Sequence, residues 1–365
     1  MDDRFLVNSY LEWSAAEGVP VHEGFGFNLL TTDLGPWARF GDTISGALIH
    51  LEGRGDWLNA FVIEIPAGGN TDMQRHMYEE IIYVLSGHGS TEIETADGVR
   101  HSFEWGESGL FAIPMNAKYR HFNLDGSRPA RLAAVTDLPV MINLIHDERF
   151  IFENDFDFDR VRGEKSYNGD GELVERRPGR HQWTTNYAPS LRTLQLKEWA
   201  QRGVGSSNIH LVLADGTVHA HVSEMPPGSY KNGHRHGPDF HIFPVSGEGY
   251  SLFWYEGDKD FNRMDWAHGS LYAPADQMFH QHFNVSPGPS RYLAFAFGSI
   301  RYPVTQARAD HFSEVDMSVK EGGLQISKEH EDPRVLEIFA KELAQRGIPL
   351  APEFEARWAL RNKSV

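Results

Sequence analysis

Short apolar runs rich in Val, Ile, Phe and Tyr recur along this chain. Gly, Pro, Asn or Asp breaks them at a spacing of about eight to twelve residues, the pattern of an all-β sandwich or barrel. Ala60 to Ile65, Glu80 to Leu85, Leu110 to Ile113, His241 to Val245, Ser251 to Tyr255 and Arg291 to Phe297 are such runs. Long helical periodicity is absent between residues 45 and 305. Outside that span a short helix is predicted near Tyr10 to Glu17, followed by a Gly- and aromatic-rich stretch, Gly24 to Trp37, read as a cover over one barrel. At the other end Asp332 as N-cap, Pro333 at the first helical position, Val335, Leu336, Phe339 and Leu343 at helical spacing, and Gly347 as the stop specify an amphipathic helix.

The runs belong to a module carried twice. P-A-G-G-N-T-D-M-Q-R-H-M-Y-E-E-I-I-Y-V-L-S-G-H-G (Pro66 to Gly89) is echoed by P-P-G-S-Y-K-N-G-H-R-H-G-P-D-F-H-I-F-P-V-S-G-E-G (Pro226 to Gly249). Gly68 pairs with Gly228, His76 with His236, Gly87 with Gly247 and Gly89 with Gly249, each at an offset of 160. Phe103 to Asn123 is echoed by Met264 to Asn284, so Trp105 matches Trp266, and both segments end in H-F-N. Between the copies Glu164 to Arg180 is polar, with N-G-D-G and R-R-P-G-R, and reads as a linker or exposed crossover. The division that follows is an extension (1–44), a first domain (45–150), a linker or crossover (151–204), a second domain (205–305) and a helical tail (306–365).

At 365 residues the chain is long enough for two domains with sizeable cores. It has no cysteine, so any transition metal must be held by His, Asp, Glu, Gln or Tyr, which turns attention to its 19 histidines. A formal charge of −17 argues against nucleic-acid or anionic-membrane partners, which rely on basic residues. No apolar run is long enough to span a bilayer, and M-D-D-R-F-L-V-N-S-Y lacks the pattern of a secretory signal, so a cytoplasmic protein is expected.

P-G-x5-H-x-H with a following S-G-E-G, then D-W-x-x-G-x-L-x-x-P and H-Q-H-F-N, resembles the two motifs of the cupin superfamily. Two copies resemble a bicupin, which implies an all-β chain of two double-stranded β-helix, or jelly-roll, barrels. The superfamily's usual metal set is two His and a Glu from the first motif and one His from the second. The second copy here supplies His234, His236 and His280, with Phe240 at the Glu position. In that three-His pattern it is similar to gentisate and salicylate 1,2-dioxygenases, which implies Fe(II), with Mn, Ni and Zn as the alternatives.

The residues themselves support a metal in the second copy. Side chains alternate along a strand, so His234 and His236 project to one side while Arg235 points away. His280 arrives from the other motif across the barrel, and three imidazoles then leave the opposite face of a metal open. Asp239 or His241 becomes an extra ligand if the strand bulges near Pro238. His282 shares the face of His280 and reads as a catalytic acid/base or a supporting partner. Its match with His121 in the first copy favours a structural role. His219 and His221 line the barrel or sit beside the metal. Arg263, on a strand expected near the second barrel, is the candidate contact for an acidic or aromatic substrate. The first copy has Gln74, His76, Glu80 and Tyr119 at the corresponding positions, a degenerate site.

The leading expectation is a mononuclear non-haem Fe(II) dioxygenase cleaving a small aromatic, keto-enol or hydroxy-acid substrate with O2. The alternatives are a non-redox isomerase, decarboxylase or hydrolase using Mn, Ni or Zn, and a non-catalytic binding bicupin. Resemblance to other doubled cupins, together with exposed sheet edges, implies a homo-oligomer.

Overall fold

A computed structural model describes residues 6–158, 167–203, 205–237 and 240–362. Each copy of the module is a large sheet covered by a three-stranded one. In the first, the large sheet runs in the order Val21–Gly24, Ser45–Leu51, Asn59–Ile65, Ala130–Thr136, Glu80–Ser86, Leu110–Ile113, Tyr187–Ala188. Its cover is Lys118–Asn123, His88–Glu94 and Arg100–Gly106. In the second, the large sheet runs Glu172–Arg177, Arg180–Thr185, Ser207–Leu213, Val218–Met225, Ser290–Phe297, His241–Ser246, Ser270–Tyr272, Gly26–Asn28. Asn262–Ala267, Glu248–Trp254 and Phe279–Asn284 cover it. These are the two jelly-roll barrels that the resemblance implied.

Both faces of the central strands of each large sheet are buried, which is why these strands read as near-continuous apolar runs. Along Asn59–Ile65, Ala60 and Val62 enter a core shared between the barrels, while Phe61 and Ile63 fill the first barrel. Along Val218–Met225, Ala220 and Val222 join the shared core. The alternation of a strand therefore turns His219 and His221 into the second barrel. Trp37, Phe40, Phe61, Tyr78 and Phe111 pack the first barrel's interior.

Two sequence expectations change here. The stretch read as a cover divides between the barrels: Gly35–Pro36 pairs with Ser45–Leu51 of the first, and Gly26–Asn28 with Ser270–Tyr272 of the second. The linker contributes strands of its own. Its Arg180–Thr185 runs parallel to Ser207–Leu213, and its Tyr187–Ala188 closes the edge of the first barrel's sheet. Matching arginines pin these incoming segments. Arg131 bonds Glu64 and the Leu29 carbonyl (2.6 and 2.8 Å), and Arg291 bonds Glu224 and the Leu191 carbonyl (2.5 and 2.8 Å).

The other repeated residues are explained by geometry. A Cβ on Gly89 would strike the Phe122 carbonyl and the Trp105 ring, and one on Gly249 the Phe283 carbonyl and the Trp266 ring. Asn123 and Asn284 each donate to three backbone carbonyls at the turn that closes their barrel.

The helix expected from Asp332 to Gly347 forms as Pro333–Arg346, with the Asp332 side chain accepting from the Arg334 N–H and Gly347 left-handed (φ 67°). Val335, Leu336, Phe339 and Leu343 pack against Tyr230, Tyr250 and Phe283 on the second barrel's cover. Gln306–Glu314 and Pro352–Asn362 are further helices within the expected helical tail, and Leu138–Ile145 and Glu148–Phe152 are helices that the sequence reading did not predict. Among the described residues, no helix is long and apolar enough to cross a membrane.

Candidate metal centre

His234 and His280 lie opposite each other on adjacent backbone segments and exchange both main-chain hydrogen bonds, at 3.0 and 2.9 Å. That reciprocal pairing sets their rings 4.2 Å apart, centroid to centroid. The His236 ring lies 4.5 Å from that of His280 and 5.6 Å from that of His234. One ring nitrogen from each falls within 4.8 Å of the others. Each Nδ1 faces a backbone carbonyl: Asn232 for His234 (3.2 Å), Gly237 for His236 (2.8 Å) and Met278 for His280 (3.1 Å). An Nδ1–H bonded in this way leaves the Nε2 lone pair free, the tautomer a metal requires. Burial, the largest cause, holds all three pKa values down, to about 4 for His280. The rings are therefore neutral near pH 7, and the residues fit a divalent ion with nitrogen ligands.

Phe240, at the carboxylate position of the usual cupin motif, packs tilted against His236 with centroids 3.8 Å apart. The cavity around the triad, about 40 Å³, has no Asp or Glu among the described residues of its lining. It has cations instead. Lys231 is fully buried and its pKa is driven well below the usual lysine value by burial and then by Arg202. Among the described residues its ammonium meets the face of Tyr292 (4.9 Å) and no carboxylate. Arg202 bonds Gln325 (3.2 Å) and lies 3.7 Å from Asp316. A wider cavity of about 320 Å³ adjoins His236 and Phe240, and Arg308, His311 and Glu314 of helix Gln306–Glu314 also line it.

The other predicted site residues divide. His282 lines the inner cavity, and its Nδ1 lies 2.7 Å from the Ser251 hydroxyl, which also accepts from Trp266 Nε1 (3.0 Å). His121, Thr91 and Trp105 form the same chain in the first barrel (2.8 and 2.9 Å), so this relay belongs to the scaffold. Arg263 is corrected. Trp266 sets the inward phase of strand Asn262–Ala267, which turns Arg263 outward onto Asp265 and Glu342 (2.6 and 2.9 Å) and over Tyr250. His241 is buried opposite Phe295 and does not join the triad, and Asp239 lies outside the described residues.

In the first barrel the equivalent positions close on themselves. Glu80 lies 2.7 Å from His76 Nε2 and accepts from the Tyr119 hydroxyl at 2.7 Å, while Gln74 donates to the Arg39 carbonyl at 2.8 Å. His76, Glu80 and Tyr119 are almost completely buried. Hydrogen bonds thus occupy the directions that ligands would use. Glu80→Ala strands two buried partners and is expected to cost about 3 kcal/mol or more in a denaturant titration. The metal content of the chain should not change; a lower content would show that this barrel also binds metal.

The cavity also holds residues that sequence reasoning missed. Lys231 stands where the first copy has Thr71, a difference visible in the repeat. Arg202 comes from the segment read as linker and His311 from the tail, and no local signal marks either.

No protein-family model matches the sequence, and no curated protein matches it. Solved structures do. The chain is similar to the oxalate decarboxylase of Lactobacillus farciminis in its formate complex, at 13% identity and a TM-score of 0.50, over 76% of this chain and 87% of that one. A variant oxalate decarboxylase from Bacillus subtilis matches at 16% identity and a TM-score of 0.48, over 76% and 78%. The L. farciminis likeness shows the fold. The chain is a bicupin in architecture.

Proposed function

We propose that the second barrel is a metal-dependent active site for a small carboxylate anion, and that its reaction is non-redox. The observation that carries this reading is the cavity itself: three neutral imidazoles positioned as ligands, with buried Lys231 and Arg202 in the same lining and no carboxylate among its described residues. Buried Lys231, which meets no carboxylate among the described residues, and Arg202 in the same lining favour an anionic guest, whose charge would hold the lysine protonated. An inner volume of about 40 Å³ favours a small one. A bound divalent ion would supply Lewis-acid polarisation of the substrate's oxygens. Lys231 and Arg202 would bind and orient the carboxylate, and Phe240 would exclude water beside His236. At the mouth, His311 is kept neutral by burial, so it and Glu314 are the groups placed to accept or return a proton. The likeness in fold to an oxalate decarboxylase bound to formate agrees with a small carboxylate.

A second reading, oxygen-dependent cleavage at Fe(II), draws on the same triad: Phe240 leaves the ligand set without a carboxylate. Metal-stripped protein reloaded separately with Mn(II), Fe(II), Ni(II) and Zn(II), and offered small mono- and dicarboxylates with and without oxygen, separates the two. Anaerobic turnover is expected. Turnover that requires oxygen in every case would transfer the assignment to the dioxygenase, and neither binding nor turnover of any carboxylate would overturn the first reading. Lys231→Met removes one charge-assisted contact, worth about 1.5–3 kcal/mol, so KM should rise roughly 10- to 100-fold while kcat changes less.

A further inference from the structure

The second barrel contains another histidine triad, and we propose that it is a second metal site. His210 on Ser207–Leu213 is the register partner of His221 on Val218–Met225, and His219 lies two residues before His221 on the same inward face. One ring nitrogen from each falls within 4.8 Å of the others, with no member shared with His234, His236 and His280.

Ring spacing supports an ion at its centre. The three centroids form a nearly equilateral triangle, with sides of 5.2, 5.3 and 5.7 Å. An imidazole nitrogen about 2.05 Å from a zinc-like ion puts its ring centroid about 3.2 Å from that ion, and tetrahedral angles then separate centroids by about 5.2 Å. His219 Nε2 and His221 Nδ1 are 3.1 Å apart, close to the roughly 3.3 Å edge of such a tetrahedron.

Polar satisfaction is the independent observation. His210 and His219 are 4% and 1% exposed, yet Nδ1 of each is buried without a partner. Buried polar atoms of native proteins are nearly always satisfied, and a metal ligand is what the unpaired His210 Nδ1 beside two further imidazoles fits, with His219 binding through Nε2. Asn208, fully buried, places its amide 3.4 Å from His210 Nε2. Turned so that its oxygen meets Nε2–H, this amide frees His210 Nδ1 as a ligand atom.

The surroundings set the order of filling. Arg180 and Arg202 face this triad but share Asp316 at 2.7 and 3.7 Å. Arg308 also acts on His210 and His219. This local positive charge disfavours a divalent ion, so the site fills after the His234–His236–His280 centre. All-imidazole ligation suits Zn(II) or Co(II) better than Mg(II) or Ca(II).

Metal-stripped full-length protein titrated with Zn(II), then with Co(II), and assayed for bound metal after desalting tests this directly. Wild type should take two equivalents in two steps, with the second adding the intense visible absorption of four-coordinate cobalt. His219→Gln and His210→Gln should each retain one equivalent, and His236→Gln should retain the weaker one. Saturation of wild type at one equivalent would overturn the proposal whatever the variants do. So would a second equivalent that survives in variants whose circular dichroism shows a native fold. The titration of wild type needs no variant to fold, and it is independent of any turnover assay.

Discussion

A His280→Ala chain is expected to lose one equivalent of metal and all measurable metal-dependent turnover. His280 is the hinge of the triad: its ring is nearest to both of the others, and its backbone holds His234 by two reciprocal hydrogen bonds. Removing a residue that merely supports a ligand costs about 10- to 100-fold in metal affinity. Removing one of three ligands should exceed that range, because no Asp or Glu among the described residues of the cavity lining can take its place. The backbone pairing does not depend on the side chain, so the barrel should persist, which circular dichroism can verify. Elemental analysis beside a carboxylate or oxygen-uptake assay reads the result. Undiminished metal content in the folded variant would remove His280 from the site and with it the basis of the functional proposal.

The repeat made the fold legible because its residues are spent on geometry that both copies need. Trp105 and Trp266 lie over Gly89 and Gly249, and Asn123 and Asn284 tie the closing turns. The convergence of His234, His236 and His280 followed from the doubled motif once a barrel was assumed. Other parts of the site depend on register, which spacing along the chain does not carry. His210 meets His221 only because their strands pair at that rung. Arg202 and His311 arrive from segments that read as linker and tail and have no motif of their own. Arg263 is different: the large inward Trp266 three residues later fixes the strand's phase, and that phase was available in the sequence.

Acidification between about pH 6.5 and pH 4 is expected to unfold the metal-free protein cooperatively. Eight histidines in the second barrel, at positions 210, 219, 221, 234, 236, 280, 282 and 311, have pKa values lowered chiefly by burial. His121 in the first barrel is lowered to about 4 for the same reason, with Glu80 opposing. The sign follows from proton counting. Between the depressed folded pKa and the ordinary value near 6.5 the unfolded chain binds more protons, so stability rises with pH through that window and falls as pH drops. For His121 alone, a change from 6.5 to about 4 corresponds to roughly 3 kcal/mol at 1.36 kcal/mol per unit. Total stabilities are about 5–15 kcal/mol, so two or three such groups are enough to unfold the chain. Bound metal competes with protons for the ligand nitrogens, and loading should therefore move the acid midpoint downward. Circular dichroism against pH, with and without Zn(II), reads both effects. A metal-free chain whose stability stays flat from pH 7 to pH 4 would mean that these imidazoles are not buried as neutral groups, and that the second barrel is wetter than its packing shows.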